Sequence, residues 1–236
     1  MLLLILVYPL VSCQIAAVQA NVNITAVPTG RMIDLFTQKE PYSGKGINQS
    51  CDVFEPQSWV FLYANVTYNQ WHVPDKIVTF IVTPPNPVSG FPLQDTALTN
   101  ESGIATLGFR LPWPPPHPEE IVFGIWSVLA SVDIADQTVV DLLTFRVGYI
   151  VELISIATID ENLKPKTHFA KGTCVGVKLH IRNIAMLPQT ATIVVTAWDM
   201  LRPFANITLT DFIVESGETY IFAYCFLNIS GQAAIG

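Results

Sequence analysis

Charge is scarce in this sequence. Only 13% of its 236 residues are Asp, Glu, Lys or Arg, against roughly 25% in an ordinary soluble domain. Basic charge is scarcer still, with 12 Lys and Arg against 19 Asp and Glu and a net charge of -7. The Lys and Arg between Arg31 and Lys166 are scattered, so there is no basic patch to neutralise a phosphate backbone, which argues against nucleic acid as a partner. Sustained 3.6-residue periodicity with helix caps is missing, which argues against a helical fold. No G-x-S-x-G, H-E-x-x-H, Walker loop or dinucleotide fingerprint occurs, so the motif-bearing classes of hydrolase, nucleotidase and oxidoreductase have no support. His72, His117, His168 and His180 are dispersed without ligand spacing, and no zinc site is expected. Asp133 and Asp136 flank a turn, but without a D-x-[DN]-x-[DN]-G loop they read as solvated turn residues, not calcium ligands. The expectation is a non-enzyme without a metal or cofactor.

What is present begins with the leader. Residues 1–20 carry no charge, and an apolar run from Leu2 to Val11 is followed by small residues ending at Ala20. This is the pattern of a signal peptide cleaved before Asn21, although the usual basic start is missing. Leu10-Val11-Ser12-Cys13 also resembles a lipobox, which would lipidate Cys13, and an uncleaved anchor is the third reading. All three export the chain, as secreted or surface-bound. No later stretch reaches the roughly 18 apolar residues of a spanning helix, so membrane contact is expected only through the leader or a C-terminal anchor beyond this sequence.

Six N-x-[ST] triplets occur, at Asn23, Asn48, Asn65, Asn100, Asn206 and Asn228. With eleven Asn in the chain, chance would give about one or two. N-glycosylation of an exported protein accounts for the excess and would supply the solubility that the sparse charges do not. Thr-rich strands generating triplets by composition is the competing account. Asn100, in Thr99-Asn100-Glu101-Ser102-Gly103, is the best-placed acceptor, whereas Asn65 and Asn206 fall in strands and need to face outward.

Strand signals fill the rest. Runs of aromatic and β-branched residues cover 31–36, 58–68, 76–83, 104–111, 121–134 and 138–147, separated by turn formers such as Pro84-Pro85-Asn86-Pro87. A second set covers 149–158, 174–184, 190–199, 206–214 and 219–227. The fold class expected is all-β, with two tandem Ig-like β-sandwich domains after the signal segment, at residues 21–148 and 149–236. With almost no linker near Gly148, the two are expected to be docked or tightly hinged. Five strands leave the second sandwich without its last one. Either the reading frame continues past Gly236, or the strand comes from a neighbouring subunit by strand addition.

Residues 31–230 resemble known families. Trp59-Val60-Phe61-Leu62-Tyr63-Ala64, Lys76 to Val82, Thr99 to Thr106 and Gly124-Ile125-Trp126 are similar to macroglobulin-type Ig-like domains of large extracellular proteins. Val177 to Asn183 and Ser216-Gly217-Glu218-Thr219 resemble cell-adhesion-related Ig-like modules of bacterial and archaeal surface proteins. The whole is similar to secreted archaeal proteins. These resemblances imply scaffold or adhesive roles, and they mark turns and core strands rather than chemistry. The thioester signature of full macroglobulins does not occur in this sequence, so protease trapping does not carry over.

Three features remain. Cys174 and Cys225 lie in two strands, and an oxidising compartment allows a disulfide between them, with two buried thiols as the alternative; Cys51 is left over. Leu111-Pro112-Trp113-Pro114-Pro115-Pro116-His117-Pro118 must be extended and outside the sheets, either an exposed polyproline II ligand or a stiff connector whose Trp113 caps the core. Trp59, Trp71, Trp113, Trp126 and Trp198 offer stacking rings for a sugar. The function expected is a non-catalytic, glycosylated cell-surface or matrix component, with other surface proteins or glycans as partners; a carbohydrate- or ligand-binding module is the rival.

Overall fold

The computed structural model describes residues 30–170, 172–199 and 202–228. The leader, Asn23 and residues 229–236 lie outside them. Among the described residues, apart from one short helix, the regular structure is β-strand in antiparallel sheets that pack as β-sandwiches.

One sheet has β2 (Trp59–Tyr68) between β1 (Arg31–Thr37) and β6 (Ile104–Arg110), with β3 (Trp71–His72) pairing the end of β2. The facing sheet runs β5 (Leu93–Leu98), β4 (Ile77–Thr83), β7 (Gly124–Ile134), β8 (Gln137–Val147). Strict alternation fixes which face is buried. Val60, Leu62, Ala64 and Val66 of β2 point into the core with Val78, Phe80 and Val82 of β4 and Trp126, Val128, Ala130 and Val132 of β7. A one-residue slip in any of these strands would expose the whole set.

Residues 121–123 do not begin a strand as expected. They belong to or follow α1 (Pro118–Val122), whose proline at the first position and Glu119 and Glu120 in the first turn favour a helix start. The helix carries Val122 into the core, where its carbonyl accepts a bond from the Trp126 indole at 2.9 Å. Trp126 is therefore a buried core residue and offers no stacking ring to a ligand.

Backbone bonding between the layers of a sandwich is absent by construction, so a buried polar side chain can tie them. Asp141 of β8 is 1% exposed. Its carboxylate accepts from the backbone N–H of Leu35 in β1 at 2.8 Å, of Asn48 at 2.7 Å and of Leu142 at 2.9 Å. The Asn48 bond anchors the segment that follows, which runs parallel to β8 and covers its edge. In that segment Cys51 N–H donates to Thr144 O at 2.7 Å and Phe54 N–H to Arg146 O at 2.8 Å.

Among the described residues, five more strands follow Gly148. β9 (Val151–Ile159), β10 (Cys174–Asn183) and β13 (Gly217–Asn228) form a three-stranded sheet with β10 central. β11 (Gln189–Asp199) and β12 (Arg202–Val214) form a two-stranded sheet. Val177, Leu179, Ile181 and Ile221 of the first meet Val195 and Val214 of the second in a core separate from the one above. Between β8 and β9 lie only Gly148, Tyr149 and Ile150. A side chain at position 148 would stand 2.9 Å from the Ile184 side chain, so glycine permits this close approach. Asp52 adds a latch, its Oδ1 accepting from Val53 N–H at 2.7 Å and from Met186 N–H at 2.9 Å.

Asp141→Ala is expected to cost about 3 kcal/mol or more, because buried N–H groups lose their acceptor; urea denaturation measures it. Asp34 supplies a pH-dependent companion. Burial pushes its carboxyl above the ordinary value of 3.8, the nearby Asp141 charge adds to this, and the Gly46 N–H bond and Lys45 oppose it. The protonated form is therefore favoured in the folded state, so its contribution is present below the ordinary Asp range and is lost as pH rises through the raised value. Asp34→Asn should flatten this part of the stability profile, measured as melting temperature across mildly acidic pH.

Candidate functional site

A concavity lies where the two cores adjoin. It has a volume of about 580 Å³ and is lined by Glu55, Pro56, Gln57, Trp113, Tyr149, Ile150, Val151, Gln189 and Thr190. Four separate stretches of chain meet there, brought together by the short β8–β9 connection. Its aromatic wall is a relay of rings. Trp113 packs on Phe123 with centroids 6.0 Å apart, and Phe123 meets Tyr149 edge-on at 4.9 Å. The Tyr149 hydroxyl donates to Glu119 at 3.2 Å, and desolvation followed by that carboxylate raises its pKa. Trp113 is half-buried and packs its ring against the fold, whereas Pro115, Pro116 and His117 of the same segment are exposed.

The sequence-singled residues are distributed as follows. Asn100 is exposed at a turn, and its Oδ1 accepts from the N–H of Ser102 and of Ile104, both at 3.0 Å. Asn48 and Asn206 are exposed. Asn65 is on the outward side of β2 but half-buried, and its Oδ1 is buried without a partner. Asn23 and the side chain of Asn228 lie outside the described residues. Trp59, Trp71 and Trp198 are exposed, but Trp59 begins β2, Trp71 pairs with Tyr68 at its far end, and Trp198 sits on β11. They do not share one platform. Trp59 instead stacks with Phe61, whose ring covers Gly108.

Cys51 is a free buried thiol, bonded to the Thr37 hydroxyl at 2.9 Å. Cys174 is disulfide-bonded. The side chain of Cys225 lies outside the described residues, and its backbone falls in the β10–β13 bulge between the pairs Val175↔Leu227 and Val177↔Ala223. Asp133 is bonded to Thr138, and Asp136 is an exposed turn residue at positive φ. His180 stacks on Tyr220 and meets Glu218 at 3.0 Å on the outer face of β10. Beside it Arg182 pairs with Glu152 at 2.6 Å. Among the described residues no three His, Cys, Asp or Glu are grouped to hold a metal, and no helix is long and apolar enough to cross a membrane.

No family model matches the chain, and no curated protein matches it. Similar solved structures include E. coli alpha-2-macroglobulin in its native conformation, at 11% identity and TM-score 0.36, covering 82% of this chain and 14% of that one. Salmonella alpha-2-macroglobulin reacted with methylamine gives 13% identity and TM-score 0.33, covering 81% and 14%. A DUF4785 family protein from Legionella pneumophila gives 8% identity and TM-score 0.32, covering 82% and 47%. Macroglobulins are thus among the structural neighbours at low identity, and the chain spans less than half the length of each of these proteins.

Burial drives the Cys51 thiol up to about 11, a neighbouring Asp52 adding to the effect and the Thr37 bond opposing it. Thiolate is the reactive form. Cys51 should therefore resist alkylation in the native protein near neutral pH and react once denaturant is added, as read by peptide mass mapping.

Proposed function

We propose that this chain is a non-catalytic structural or adhesion component outside the cytoplasm, a glycosylated part of a cell surface or matrix. The observation that carries the reading is Asn100. Its Oδ1 is tied into the turn by two backbone N–H groups while the residue stays exposed, which leaves the amide nitrogen of an N-E-S sequon available to an oligosaccharide. Asn48 and Asn206 offer the same exposure, whereas Asn65 is the weakest acceptor of the four because its oxygen is buried. Serial sandwiches joined by three residues and latched through Asp52 and Met186 suit a spacer. The leader supports export, and the chain between Asn21 and Gly236 divides into sandwich domains near Gly148. A bridge from Cys174 to Cys225 fits an oxidising compartment.

The test is the mass of the protein purified from its native cell surface or medium. Deglycosylation should lower it, and Asn100→Gln should remove one glycan. An unmodified protein found in the cytoplasm would overturn the reading.

A second reading rests on the cleft, where Trp113 and Tyr149 stand beside Glu55, Gln57 and Gln189. Rings flanked by amides are the chemistry of sugar recognition. If that reading holds, Trp113→Ala should lower glycan retention on an array at least tenfold, whereas Trp71→Ala, remote from the cleft, should leave it unchanged.

A further inference from the structure

The second sandwich is covered unevenly. In β9, Leu153 lies opposite Ile181 and Ile156 opposite Leu179, so both point toward the facing sheet as their buried partners do. Yet Leu153 is 60% exposed and Ile156 55% exposed. The facing sheet does not reach them. Among the described residues it contains β11 and β12, and the turn at 215–216 leads directly from β12 to β13, which seats β12 against β13, the strand on the far side of β10 from β9. The second edge of β11 therefore borders the space above β9, and among the described residues nothing pairs with it. The result is a groove with unpaired backbone groups along one wall and apolar side chains on its floor. Its mouth is the cleft described above, which β9 and β11 enter through Val151, Gln189 and Thr190. One additional strand beside β11 would satisfy the edge and cover Leu153 and Ile156.

We propose that this strand is residues 21–27 of a second copy of the chain, donated head to tail. The segment reads Asn21-Val22-Asn23-Ile24-Thr25-Ala26-Val27 before Pro28. Val22, Ile24 and Ala26 share one face and Asn21, Asn23 and Thr25 the other, which is the pattern a half-buried strand requires. Pro28 ends its capacity to donate ladder bonds. Reach excludes donation within one copy. Arg31 bonds the carbonyls of Ile134 and Ala135, so the N-terminal segment leaves the fold beside the β7–β8 turn. The groove begins at the opposite end of β8, about 33 Å away at roughly 3.3 Å per residue. The nine residues 21–29 extend to at most about 32 Å, which leaves nothing to lie along β11. Donation to the next copy has no such limit, and because donor and groove sit at opposite poles the contact is heterologous and propagates. This deepens the export reading and rests on it, because removal of the leader frees Asn21.

Size-exclusion chromatography with light scattering on residues 21–236 tests the proposal whether or not a cell removes the leader, so its failure is distinct from failure of export. The wild-type chain should form a concentration-dependent series of oligomers. Ile24→Asp, in the donor segment, and Ile156→Lys, at an exposed position, should each give monomers with unchanged circular dichroism. Mixed together they should form a 1:1 dimer and go no further, since one retains the groove and the other the donor. If a segment of the same copy fills the groove, or the groove stays open, the wild type is monomeric and the mixture does not pair; that result overturns the proposal. Oligomers that survive both substitutions also overturn it. A labelled peptide of residues 21–29 provides a second readout. It should bind Ile24→Asp and lose at least tenfold in affinity for Ile156→Lys, and equal binding to both would count against the groove.

Discussion

The carboxylate of Asp141 is the interaction on which the remaining architecture hangs. Two sheets of a sandwich share no backbone bonds, and hydrophobic packing alone sets distance more firmly than register. One buried anion with backbone N–H donors from β1, from β8 itself and from the loop at Asn48 supplies the register. The consequences run outward. The Asn48 bond fixes the start of the segment that covers the β8 edge, that segment presents Asp52, and Asp52 holds Met186. A single desolvated charge thus sits at the root of a path that ends at the connection between β10 and β11. Its cost is met by charge-assisted bonds, the strong kind, while burial shifts Asp34 beside it toward the protonated form.

Much of this was legible in the sequence because alternation is a strong signal. β2, β4, β7 and β10 are period-2 runs with buried partners, and their limits fall within a few residues of those expected. β5 leaves little signal in the sequence: Leu93-Gln94-Asp95-Thr96-Ala97-Leu98 is an edge strand with little of its surface buried, so its apolar content is low. α1 was hidden by Ile121-Val122-Phe123 running into β7, although Pro118 and two acids mark a helix start. Asp141 had a readable signal, since it shares a face with Val139, Leu143, Phe145 and Val147, and an acid on an apolar face requires a partner. The cleft had none, because it is assembled from residues near 55, 113, 150 and 190. Composition records how many rings there are and not which way they point, so Trp126 counts as a stacking ring in the sequence but is core in the fold.

The two sandwiches solve the edge problem differently. In the first, residues 49–54 close one side of β8 and β1 packs alongside. In the second, β9 keeps apolar side chains in an opening that the two-stranded sheet does not span. Native proteins blunt such edges with charge, proline or cover, and β11 between Gln189 and Trp198 carries neither charge nor proline. Sparse charge across the chain makes the contrast sharper, since electrostatic repulsion is the usual guard against pairing. Glycans at exposed asparagines would guard the other faces while leaving this one to pair.

The three-residue link at Gly148 has a mechanical meaning. Any tension applied between the N-terminal pole and the second core passes through one covalent strand, β8 into β9, with the Asp52–Met186 bond spanning the same joint. That bond, the packing of Gly148 on Ile184 and the Tyr149 contacts with Phe123 and Glu119 rupture at lower force than a ladder of β-sheet bonds sheared together. Under load the joint would open first and the sandwiches would stay folded, so extension would be taken up reversibly at the seam and the cores would be spared.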